Sequence, residues 1–481
     1  MTIKKLNRND PCVCGSGKKY KQCCMLADEL KHSEAEKQKQ QISGQIAHLL
    51  EQGMLMHRNA QIEDARKTYQ AILQLNPSHP DALHLYGVTA HQMRNYGQAI
   101  QFMQLSLQSN PGNFYALNNL GAALRENNQA EQALQCFQQA CKLKPDYAEA
   151  HSNIGNVYKD TGNLDKAILA YRHAISLSPA MAEPWNNLAL IYQKNKDLQS
   201  AIQCAERAAA LQPDMAEIHN TLGNIYKDAG QLARALASYQ QALALDPQQG
   251  NAAHFINVLS GQASAQAPVN YVSKVFDDYA ERFDQHLQEV LEYKIPTVIG
   301  QQLRQMKVAG KATWRILDLG CGTGLVAQEL ASMAEYFVGV DLSEKMLLKA
   351  QERKLYRRLI QADLLSMTRQ ELAASYELVT AADVFVYLGQ LDAIVAEISR
   401  LLVPDGLFAF SIEAGDANQL PGVEHIGYQL RNSGRYAHQL TYLQSLAAQH
   451  GFTILQCLPQ TIRMENLQAI PGYLLIWRKL I

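Results

Sequence analysis

The stretch ILDLGCGTG, residues 316–324, leads an apolar strand directly into three closely spaced glycines, and the helical text LVAQELASM follows at once. Because glycine has no Cβ atom, Gly320, Gly322 and Gly324 let backbone amides approach a ligand at the carboxyl edge of a strand. The spacing G-x-G-x-G differs from the G-x-G-x-x-G of dinucleotide-binding enzymes, and an acid, Asp318, lies inside the strand. This stretch predicts an α/β fold with a ligand site at the end of its first strand.

Apolar runs of strand length alternate with helical segments from this stretch to the end of residues 271–481. The runs are RILDLG, YFVGVDL, LIQADL, ELVTAADVFVYL, GLFAFSIE, FTILQCL and YLLIWRK. Such an alternation predicts a doubly wound sheet with helices on both faces. Little more than a turn separates the last two runs, which indicates one antiparallel edge strand. We therefore predict a seven-stranded, Rossmann-like α/β domain.

Acidic residues end the second and third of these runs, at Asp341 and Asp363. This order of acids resembles that of the class I S-adenosylmethionine (AdoMet)-dependent methyltransferases. In those enzymes an acid precedes the glycine turn, a second acid binds the ribose and a third lies near the adenine. The resemblance implies that Asp341 binds the ribose hydroxyls and that Asp363, with the backbone at Leu364, meets the adenine. The structural alternatives are a helix cap for Asp341 and a turn residue for Asp363.

A helical segment before the sheet, DDYAERFDQHL (277–287), extends this resemblance. In related enzymes the matching helix folds over the cofactor, so Tyr279 and Phe283 are candidate lid residues, with amphipathic helix core as the alternative. Cys321 occupies a position in the loop where a small residue suffices, and we interpret it as packing and not as a nucleophile. The complete cofactor site implied by the resemblance consists of Asp318, Gly320, Cys321, Gly322, Gly324, Asp341, Leu342, Asp363, Leu364 and Tyr279.

The acceptor side of this predicted site follows the fourth and fifth strands. Asp383, in TAADVFVYLG, would face the transferring methyl group, and SGRYAH (433–438) places Tyr436 and His438 where such folds line the acceptor pocket. These three are the predicted catalytic residues, and His438 is a candidate base. The alternatives are a solvated loop acid for Asp383 and a helix cap for His438. The segment AADV lacks the Asn/Asp-Pro-Pro-Tyr/Phe sequence used to methylate planar bases, which argues against nucleic-acid bases as acceptors.

Three columns of residues recur every 34 residues upstream of this domain. The columns are Pro77, Pro111, Pro145, Pro179, Pro213 and Pro247; Gly53, Gly87, Gly121, Gly155, Ala189 and Gly223; and Ala65, Ala99, Ala133, Ala167, Ala201 and Ala235. Small residues suit the close crossing of two helices, and proline ends the second helix of each pair. Segments such as ALNNLGAALRENNQAEQALQCFQQACKLKP resemble the tetratricopeptide repeat (TPR). Residues 46–259 are therefore predicted to form an all-α TPR solenoid of six repeats and a terminal helix.

Asparagines recur on the first helix of these repeats. Asn119, Asn153 and Asn187 share one repeat position, while Asn156 and Asn224 share another. An asparagine amide can both donate to and accept from a peptide backbone, which gives a sequence-tolerant grip on an extended chain. The pattern resembles the asparagine ladder in the repeats of O-GlcNAc transferase and predicts a protein partner in the TPR groove. The alternative is a set of solvated asparagines common to the repeat consensus.

Four cysteines are crowded near the start in the order C-x-C-x8-C-C, within NDPCVCGSGKKYKQCC. In a large chain this crowding favours metal over disulfides, and four thiolates can close a tetrahedral Zn²⁺ site. The spacing resembles the SEC-C motif. We predict a zinc module over 1–25, held by Cys12, Cys14, Cys23 and Cys24, whose lysines allow docking to a protein or to the ribosome. A tether helix over 26–45 and a linker over 260–270 complete the predicted domain order.

Composition narrows the remaining function classes for the 481-residue chain. The formal charge of −1 gives no general attraction to nucleic acid, and sequence-specific nucleic-acid binding is not expected. No apolar window approaches the length of a membrane span, and the basic N-terminus has no apolar core behind it. We therefore expect no membrane partner and a cytoplasmic location.

Together the three parts resemble bacterial TPR-containing class I methyltransferases with an N-terminal SEC-C motif. The first interpretation is an AdoMet-dependent enzyme with structural Zn²⁺ whose solenoid recruits a polypeptide, which makes it a protein methyltransferase. The alternative is a small-molecule methyltransferase acting on a carboxylate or hydroxyl, with the solenoid used for assembly. A third is a non-enzymatic adaptor with a vestigial fold. An open acceptor pocket would favour a protein substrate, and an enclosed one of ~300–1,000 Å³ a metabolite.

Overall fold

The computed structural model describes residues 7–261, 264–284, 287, 291–306, 312–415, 427–465 and 468–481. The chain divides into two compact units, Met1–Leu211 and Gln212–Ile481, which are considered in turn.

The first unit consists of helices joined by short turns. Its first helix, α1, is long because the predicted tether and the first repeat helix run together without a break. Later helices form hairpins, several of them begun by Asn or His caps such as Asn113, whose side chain accepts from the Ala116 amide. The helices are α1 (Met25–Arg58), α2 (Ile62–Leu75), α3 (Pro80–Gln92), α4 (Tyr96–Ser109), α5 (Phe114–Glu126), α6 (Ala130–Leu143), α7 (Ala148–Asp160), α8 (Leu164–Leu177), α9 (Ala182–Lys194) and α10 (Leu198–Leu211).

The glycine column explains how the two helices of a hairpin approach each other. A Cβ atom added to Gly121 would lie 2.7 Å from Cε1 of Phe137, and one added to Gly155 would lie 2.6 Å from Cε1 of Tyr171. Such distances are far shorter than a normal carbon–carbon contact. Each ring therefore fills the space that the missing side chain leaves, sixteen residues further along the chain.

The second unit begins with three more helices and continues into the α/β domain. The sixth repeat thus belongs to the same compact unit as the sheet. Of the segment predicted as a linker, residues 262–263 lie outside the described residues, and Ala265 and Ala267 form backbone hydrogen bonds with Gly389 and Tyr387. Its helices are α11 (Ala216–Asp228), α12 (Leu232–Leu245), α13 (Gly250–Ser260), α14 (Val269–Tyr279), α15 (Ile295–Leu303), α16 (Leu325–Leu330), α17 (Glu344–Glu352), α18 (Leu364–Gln370), α19 (Asp392–Leu401) and α20 (Leu440–Gln449).

The described residues of this unit form a nine-stranded sheet. Five strands run parallel in the order β3-β2-β1-β4-β5. Strand β9 pairs antiparallel with β5 on one side and with β8 on the other. The short β7 pairs in parallel with the end of β5 and antiparallel with β6. The strands are β1 (Trp314–Leu319), β2 (Ala334–Asp341), β3 (Tyr356–Gln361), β4 (Tyr376–Ala381), β5 (Leu402–Ala414), β6 (Tyr428–Leu430), β7 (Tyr436–His438), β8 (Phe452–Glu465) and β9 (Gln468–Lys479).

The predicted fold class is confirmed, with two differences in detail. Strands β6 and β7 have three residues each and were absent from the prediction, because so short a strand leaves no alternation to detect. The antiparallel strand, β9, lies one place in from the edge, with β8 outside it.

Helices cover both faces of the sheet and form two apolar cores. Along β1, Leu317 and Leu319 belong to one core and Ile316 to the other, as strand alternation requires. The first core includes Ile398 of α19, and the second includes Ile299 of α15. The carboxyl ends of the parallel strands are thereby left for the site described next. Among the described residues, no helix combines the length and apolarity needed to cross a bilayer.

Candidate active site

The glycine loop after β1 has a backbone that only glycine adopts easily. Gly320, Gly322 and Gly324 have φ angles of +62°, +52° and +90°, all in the left-handed region. A Cβ atom on Gly320 would also lie 2.5 Å from Cγ2 of Val384, and one on Gly324 would lie 3.0 Å from Cε2 of Tyr356. The loop is therefore fixed by conformation and by close packing at the same time.

Asp341 connects the end of β2 to this loop. Its carboxylate accepts hydrogen bonds from the backbone amides of Gly322 and Ser343, each at 2.9 Å. Burial raises the pKa of Asp341, and these amide donors oppose the rise. The cap of α17 is Ser343, whose hydroxyl accepts from the Met346 amide, so Asp341 is not the helix cap considered as its alternative.

Asp363 caps a helix, a role that differs from the turn residue considered as its alternative. Its carboxylate accepts from the amides of Leu365 and Ser366, at 3.0 and 3.1 Å, and begins α18. It also lies on the cavity wall beside Leu364, so capping holds this carboxylate at the position predicted for the adenine.

A cavity of about 950 Å³ lies at the carboxyl ends of the parallel strands. At one end it is lined by the glycine loop, the acids after β2 and β3, and the inner face of α14. Nearly all of the predicted cofactor residues lie there together. The lining residues of this end include Gly320, Cys321, Gly322, Asp341, Leu342, Asp363, Leu364, Val272, Phe276, Tyr279 and Phe283.

Asp318 and Gly324 are the two predicted cofactor residues that are not part of the cavity wall. The Asp318 carboxylate accepts from the hydroxyls of Tyr356 and Thr380, each at 2.7 Å, beneath the loop. Burial raises the pKa of Asp318 to about 6. Asp318, predicted to hold the methionine end of AdoMet with the glycine loop, thus lies behind the cavity wall, where its carboxylate is bonded to residues of β3 and β4.

The cavity wall also includes part of a buried ion-pair network. Asp383 has a left-handed φ of +58°, its amide donates to Oγ of Ser411, and its carboxylate pairs with Arg463 at 2.8 Å. Arg463 is buried and also pairs with Glu413, which is equally buried. Arg435 pairs with the third acid of the network, Glu465. Asp383, Arg435, Arg463 and Glu465 all line the cavity.

Tyr436 and His438 do not reach this cavity, and their predicted catalytic roles are corrected. The Tyr436 hydroxyl lies 2.6 Å from Oγ of Ser264, and the Nε2 atom of His438 donates to the Gly389 carbonyl at 3.1 Å. Burial lowers the pKa of His438 to about 4, so this imidazole is neutral. Strand alternation explains the error, because Arg435 faces the cavity while its neighbour faces the other way.

Arg463 and Glu413 were missed by the sequence analysis. Glu413 ends the apolar run of β5, and Arg463 lies beyond the predicted end of β8, within TIRME. A single arginine in strand text is rarely buried without a partner. That signal marked Arg463 as unusual but did not identify its partners, which lie 50 and 80 residues away.

The four N-terminal cysteines are brought together in the first unit. Their Sγ atoms lie within 4.8 Å of one another, with 3.3 Å between Cys14 and Cys23 and 3.7 Å between Cys23 and Cys24. Tetrahedral thiolates at ~2.3 Å from a zinc ion would be about 3.8 Å apart. A hydrogen bond from Ser16 lowers the pKa of Cys14 to about 6, while hydrogen bonds with Cys12 and Cys14 raise the pKa of Cys24 to about 12. Metal binding would therefore displace protons from this cluster. The cluster, completed by Cys12, can hold a metal ion.

The predicted groove asparagines bind one another across repeats. Asn156 donates to Asn153 at 3.4 Å and to Glu183 at 2.9 Å, and it accepts from Tyr171 at 2.6 Å and from Asn187 at 3.0 Å. These four bonds use the full capacity of its amide. The grip on a peptide predicted for Asn156 is therefore corrected.

The remaining groove asparagines are also engaged in bonds between helices. Asn119 donates to His84 at 2.9 Å, and Asn153 donates to Asn118 at 2.9 Å. Asn187 accepts from Lys159 at 2.9 Å. Asn224 accepts from the Tyr239 hydroxyl at 2.8 Å and from Asn251 at 3.3 Å. These hydrogen bonds connect helices of the same repeat or of neighbouring repeats. They use amide groups that would otherwise be available to bind a peptide.

Family models match three parts of the chain. A methyltransferase domain matches residues 316–406, and the SEC-C motif matches residues 8–26. Models of the tetratricopeptide repeat match residues 50–114, 102–135, 121–162, 155–196 and 180–248. The matches confirm the three parts recognised in the sequence.

The curated relatives include bacterial O-methyltransferases. A malonyl-[acyl-carrier protein] O-methyltransferase of Legionella pneumophila is 30% identical over 147 residues, which are 30% of this chain and 49% of that protein. Its counterpart in Halalkalibacterium halodurans is 31% identical over 29% of this chain and 54% of that protein. A ubiquinone biosynthesis O-methyltransferase of Thiobacillus denitrificans is 32% identical over 22% of this chain and 45% of that protein.

The chain spans about half the length of the curated relatives it matches. Among solved structures, one from the functional characterisation of Pseudomonas aeruginosa pilF has a TM-score of 0.40 at 19% identity, covering 44% of this chain and 97% of that one.

Proposed function

We propose that this chain, which carries a SEC-C motif, tetratricopeptide repeats and a methyltransferase domain, transfers a methyl group from AdoMet to an oxygen atom of a small acceptor group. The observation that supports this most is the single cavity that joins the glycine loop to the arginine-containing end. Its volume of about 950 Å³ lies within the range of small-molecule sites, ~300–1,000 Å³. This favours the small-acceptor interpretation over the protein methyltransferase that came first from the sequence.

The cofactor end of the cavity fits AdoMet in its donor set. Gly320 and Gly322 present backbone without side chains, and Asp341 offers a carboxylate to the ribose hydroxyls. Asp363 and Leu364 lie at the place proposed for the adenine. AdoMet supplies a methyl group on a sulfonium, whose transfer leaves a neutral thioether. The protein's part is then to hold the two reactants in line and exclude water.

The acceptor end favours an oxygen that is already negative. The wall contains no histidine or lysine among the described residues, and Arg463 holds the Asp383 carboxylate in an ion pair. A carboxylate acceptor needs no base, whereas a hydroxyl must lose a proton. Arg435 and Arg463 provide guanidinium groups suited to a carboxylate. Both kinds of curated relative are also named O-methyltransferases. We therefore favour a carboxylate over a hydroxyl.

The repeats are proposed to recruit a protein. Two of the relatives are named for a malonyl group on an acyl-carrier protein, so a small acceptor and a protein partner are compatible. The second candidate, methylation of a polypeptide side chain, is favoured by the TPR repeats alone.

Tritiated AdoMet added to a cell lysate with the full chain distinguishes these candidates. We expect the label in the small-molecule fraction or on a small group attached to a protein. Base should release this label as volatile methanol, because a methyl ester is hydrolysed in base. Label on protein that resists base would support the polypeptide candidate and contradict the ester. The Asp341→Ala variant should lose the label, and Asp165→Ala, which changes an exposed acid of α8, should retain it.

The cysteine cluster is proposed to hold one structural zinc ion, because four protein thiolates leave no open position. Elemental analysis should give one zinc per chain, and the double change Cys14→Ser and Cys23→Ser should remove it. The matched control is Cys136→Ser together with Cys457→Ser, which changes two cysteines outside the cluster. Zinc retained by the first variant would place the metal elsewhere.

A further inference from the structure

The terminal helix α13, which follows the sixth repeat, contacts two walls of the cavity within the second unit. We propose that this helix is a working part of the methyl-transfer site, and that His254 is the positioning residue through which it acts. The inference rests on the proposed function, because the cavity must bind the cofactor for positioning to matter.

His254 of α13 is fully buried and bonded to the acceptor side. Its Nε2 atom donates to the carbonyl of Gly434 at 2.7 Å. Gly434 has a φ of +81°, and a Cβ atom there would lie 3.0 Å from this nitrogen. The turn is closed by bonds from the Gly434 amide to the Arg431 carbonyl and from the Arg431 amide to the Arg435 carbonyl, both at 2.8 Å. Ser433 and Arg435 in this turn line the cavity, so His254 holds their backbone.

The same imidazole contacts the helix that walls the cofactor end. The ring of Tyr271, in α14, stacks on His254 with 4.6 Å between centroids and 26° between planes. One residue earlier, Asn270 donates to the Gln248 carbonyl at 2.8 Å, and a Cβ atom on Gly250 would lie only 2.1 Å from Asn270 Oδ1. Asn270 and Tyr271 thus fasten α14 to α13 and to the turn before it.

Further residues of α14, Val272, Phe276 and Tyr279, line the cavity. The helix that is fastened to α13 at its first turn is therefore also a wall of the ligand site. The acceptor turn and the cofactor wall therefore share one point of attachment on α13.

Packing alone does not require a histidine at position 254. Burial lowers the pKa of His254, so the ring is neutral and its single proton is on Nε2, which faces the carbonyl. Its Nδ1 atom is buried without a hydrogen-bond partner among the described residues. An apolar ring would fill the space without that desolvation cost. The residue is thus suited to the bond with Gly434 and not merely to filling volume.

Coupling of this kind is reciprocal, because a ligand that orders the cavity walls must also stabilise the helix that holds them. The test is amide hydrogen exchange of the full chain with and without S-adenosylhomocysteine as the probe. We expect slower exchange both in the glycine loop (320–324) and in α13, with α13 slowed about five-fold or more. Protection of the loop without any change in α13 would overturn the coupling and leave the proposed function standing. No protection at either place would contradict the proposed function itself.

Three variants test whether His254 positions the cavity walls or only stabilises the fold. His254→Phe keeps a ring against Tyr271 but removes the donor, so the α13 response should disappear while the glycine loop still responds. His254→Gln, whose amide can reach the same carbonyl, should restore it. His219→Phe removes a matched bond, from Nε2 to the Pro213 carbonyl at 2.8 Å in α11, and should change neither response.

A fourth variant covers the case in which His254→Phe does not fold. Asn270→Ala removes the second attachment at the surface and should weaken the α13 response without affecting that of the glycine loop. An α13 response of full size in both His254→Phe and Asn270→Ala, or in Asn270→Ala if it alone folds, would overturn the inference.

Discussion

Glycine has different uses in the helical repeats and in the cavity loop. Gly155 has ordinary helical backbone, and its missing Cβ atom leaves room for the ring of Tyr171. Gly320 has a left-handed φ of +62° and also lies against Val384. The first glycine is required by its neighbour alone, whereas the second is required by its own backbone as well.

The fifth repeat shows that the first use can be exchanged for another. There Ala189 replaces glycine, and the position of the ring is taken by Ala205, with both residues fully buried. A small pair thus replaces a glycine and a ring. The left-handed loop has no such substitute, because a side chain added there is strained whatever surrounds it. A packing glycine can therefore be replaced when the residue packed against it is replaced as well, whereas a loop glycine cannot.

The largest effect is expected at the loop. Gly320→Ala adds backbone strain of roughly 1–2 kcal/mol and overpacking against Val384 of about 1–3 kcal/mol. AdoMet affinity, measured by calorimetric titration, should fall about 100-fold or more. Adding Val384→Ala should restore only the part of the affinity lost to the clash. Full recovery in the double variant would show that the loop, like the repeats, is limited by space alone.

A smaller loss is expected when the loop keeps its glycines but loses the acid that holds it. Asp341→Ala removes an acceptor for the Gly322 amide and the carboxylate proposed for the ribose. The cost of a charged hydrogen bond, about 1.5–3 kcal/mol, corresponds to a loss of affinity of roughly 10- to 150-fold. Calorimetry that gives the wild-type dissociation constant would contradict the role of this residue.

In the repeats, by contrast, introducing a ring and a glycine together should cost little stability. Ala205→Tyr alone should lower the free energy of unfolding by about 1–3 kcal/mol, because the ring meets the Cβ atom of Ala189. Combining it with Ala189→Gly should recover most of this loss. Urea unfolding of the wild type, the two single variants and the double variant measures the coupling free energy between positions 189 and 205, which is expected to be about 0.5–3 kcal/mol. Additive effects would mean that the column is not a set of pairs.

The smallest effect concerns the acid beneath the loop. Burial raises the pKa of Asp318 from its usual 3.8 to about 6, so between these values the folded state retains a proton that the unfolded state has lost. The free energy of unfolding should therefore fall as the pH rises through this window, by at most about 1.4 kcal/mol per pH unit from this group. Asp318→Asn should flatten that slope in pH-dependent urea unfolding, whereas an unchanged slope would assign it to other carboxyls.

The features predicted correctly from the sequence are those specified by short-range patterns. The 34-residue columns and the G-x-G-x-G turn are local, and both appear in the structure where they were expected. The network of Asp383, Glu413 and Arg463 joins the loop after β4, strand β5 and strand β8, which come together only in the folded sheet, so no local pattern could reveal it.

The asparagine columns show how a correct repeat pattern can still mislead. Asn153 and Asn118 are bonded across 35 residues, one repeat and one residue apart. Regular spacing identified the positions but gave no information on whether the amides face a ligand or one another. The attachment of α13 was equally hidden, because nothing in its sequence distinguishes it from a free terminal helix.

The attachment of the terminal helix α13 has a consequence for how such chains change over generations. Each repeat contacts mainly its neighbours, so duplication or deletion of a whole 34-residue segment upstream changes the length of the helical part without altering the hairpins that remain. Helix α13 and the turn before it are held to Gly434 and to α14 and do not have this freedom. We expect related chains to differ in their number of repeats while inheriting this terminal helix together with the α/β domain, as a single unit of descent.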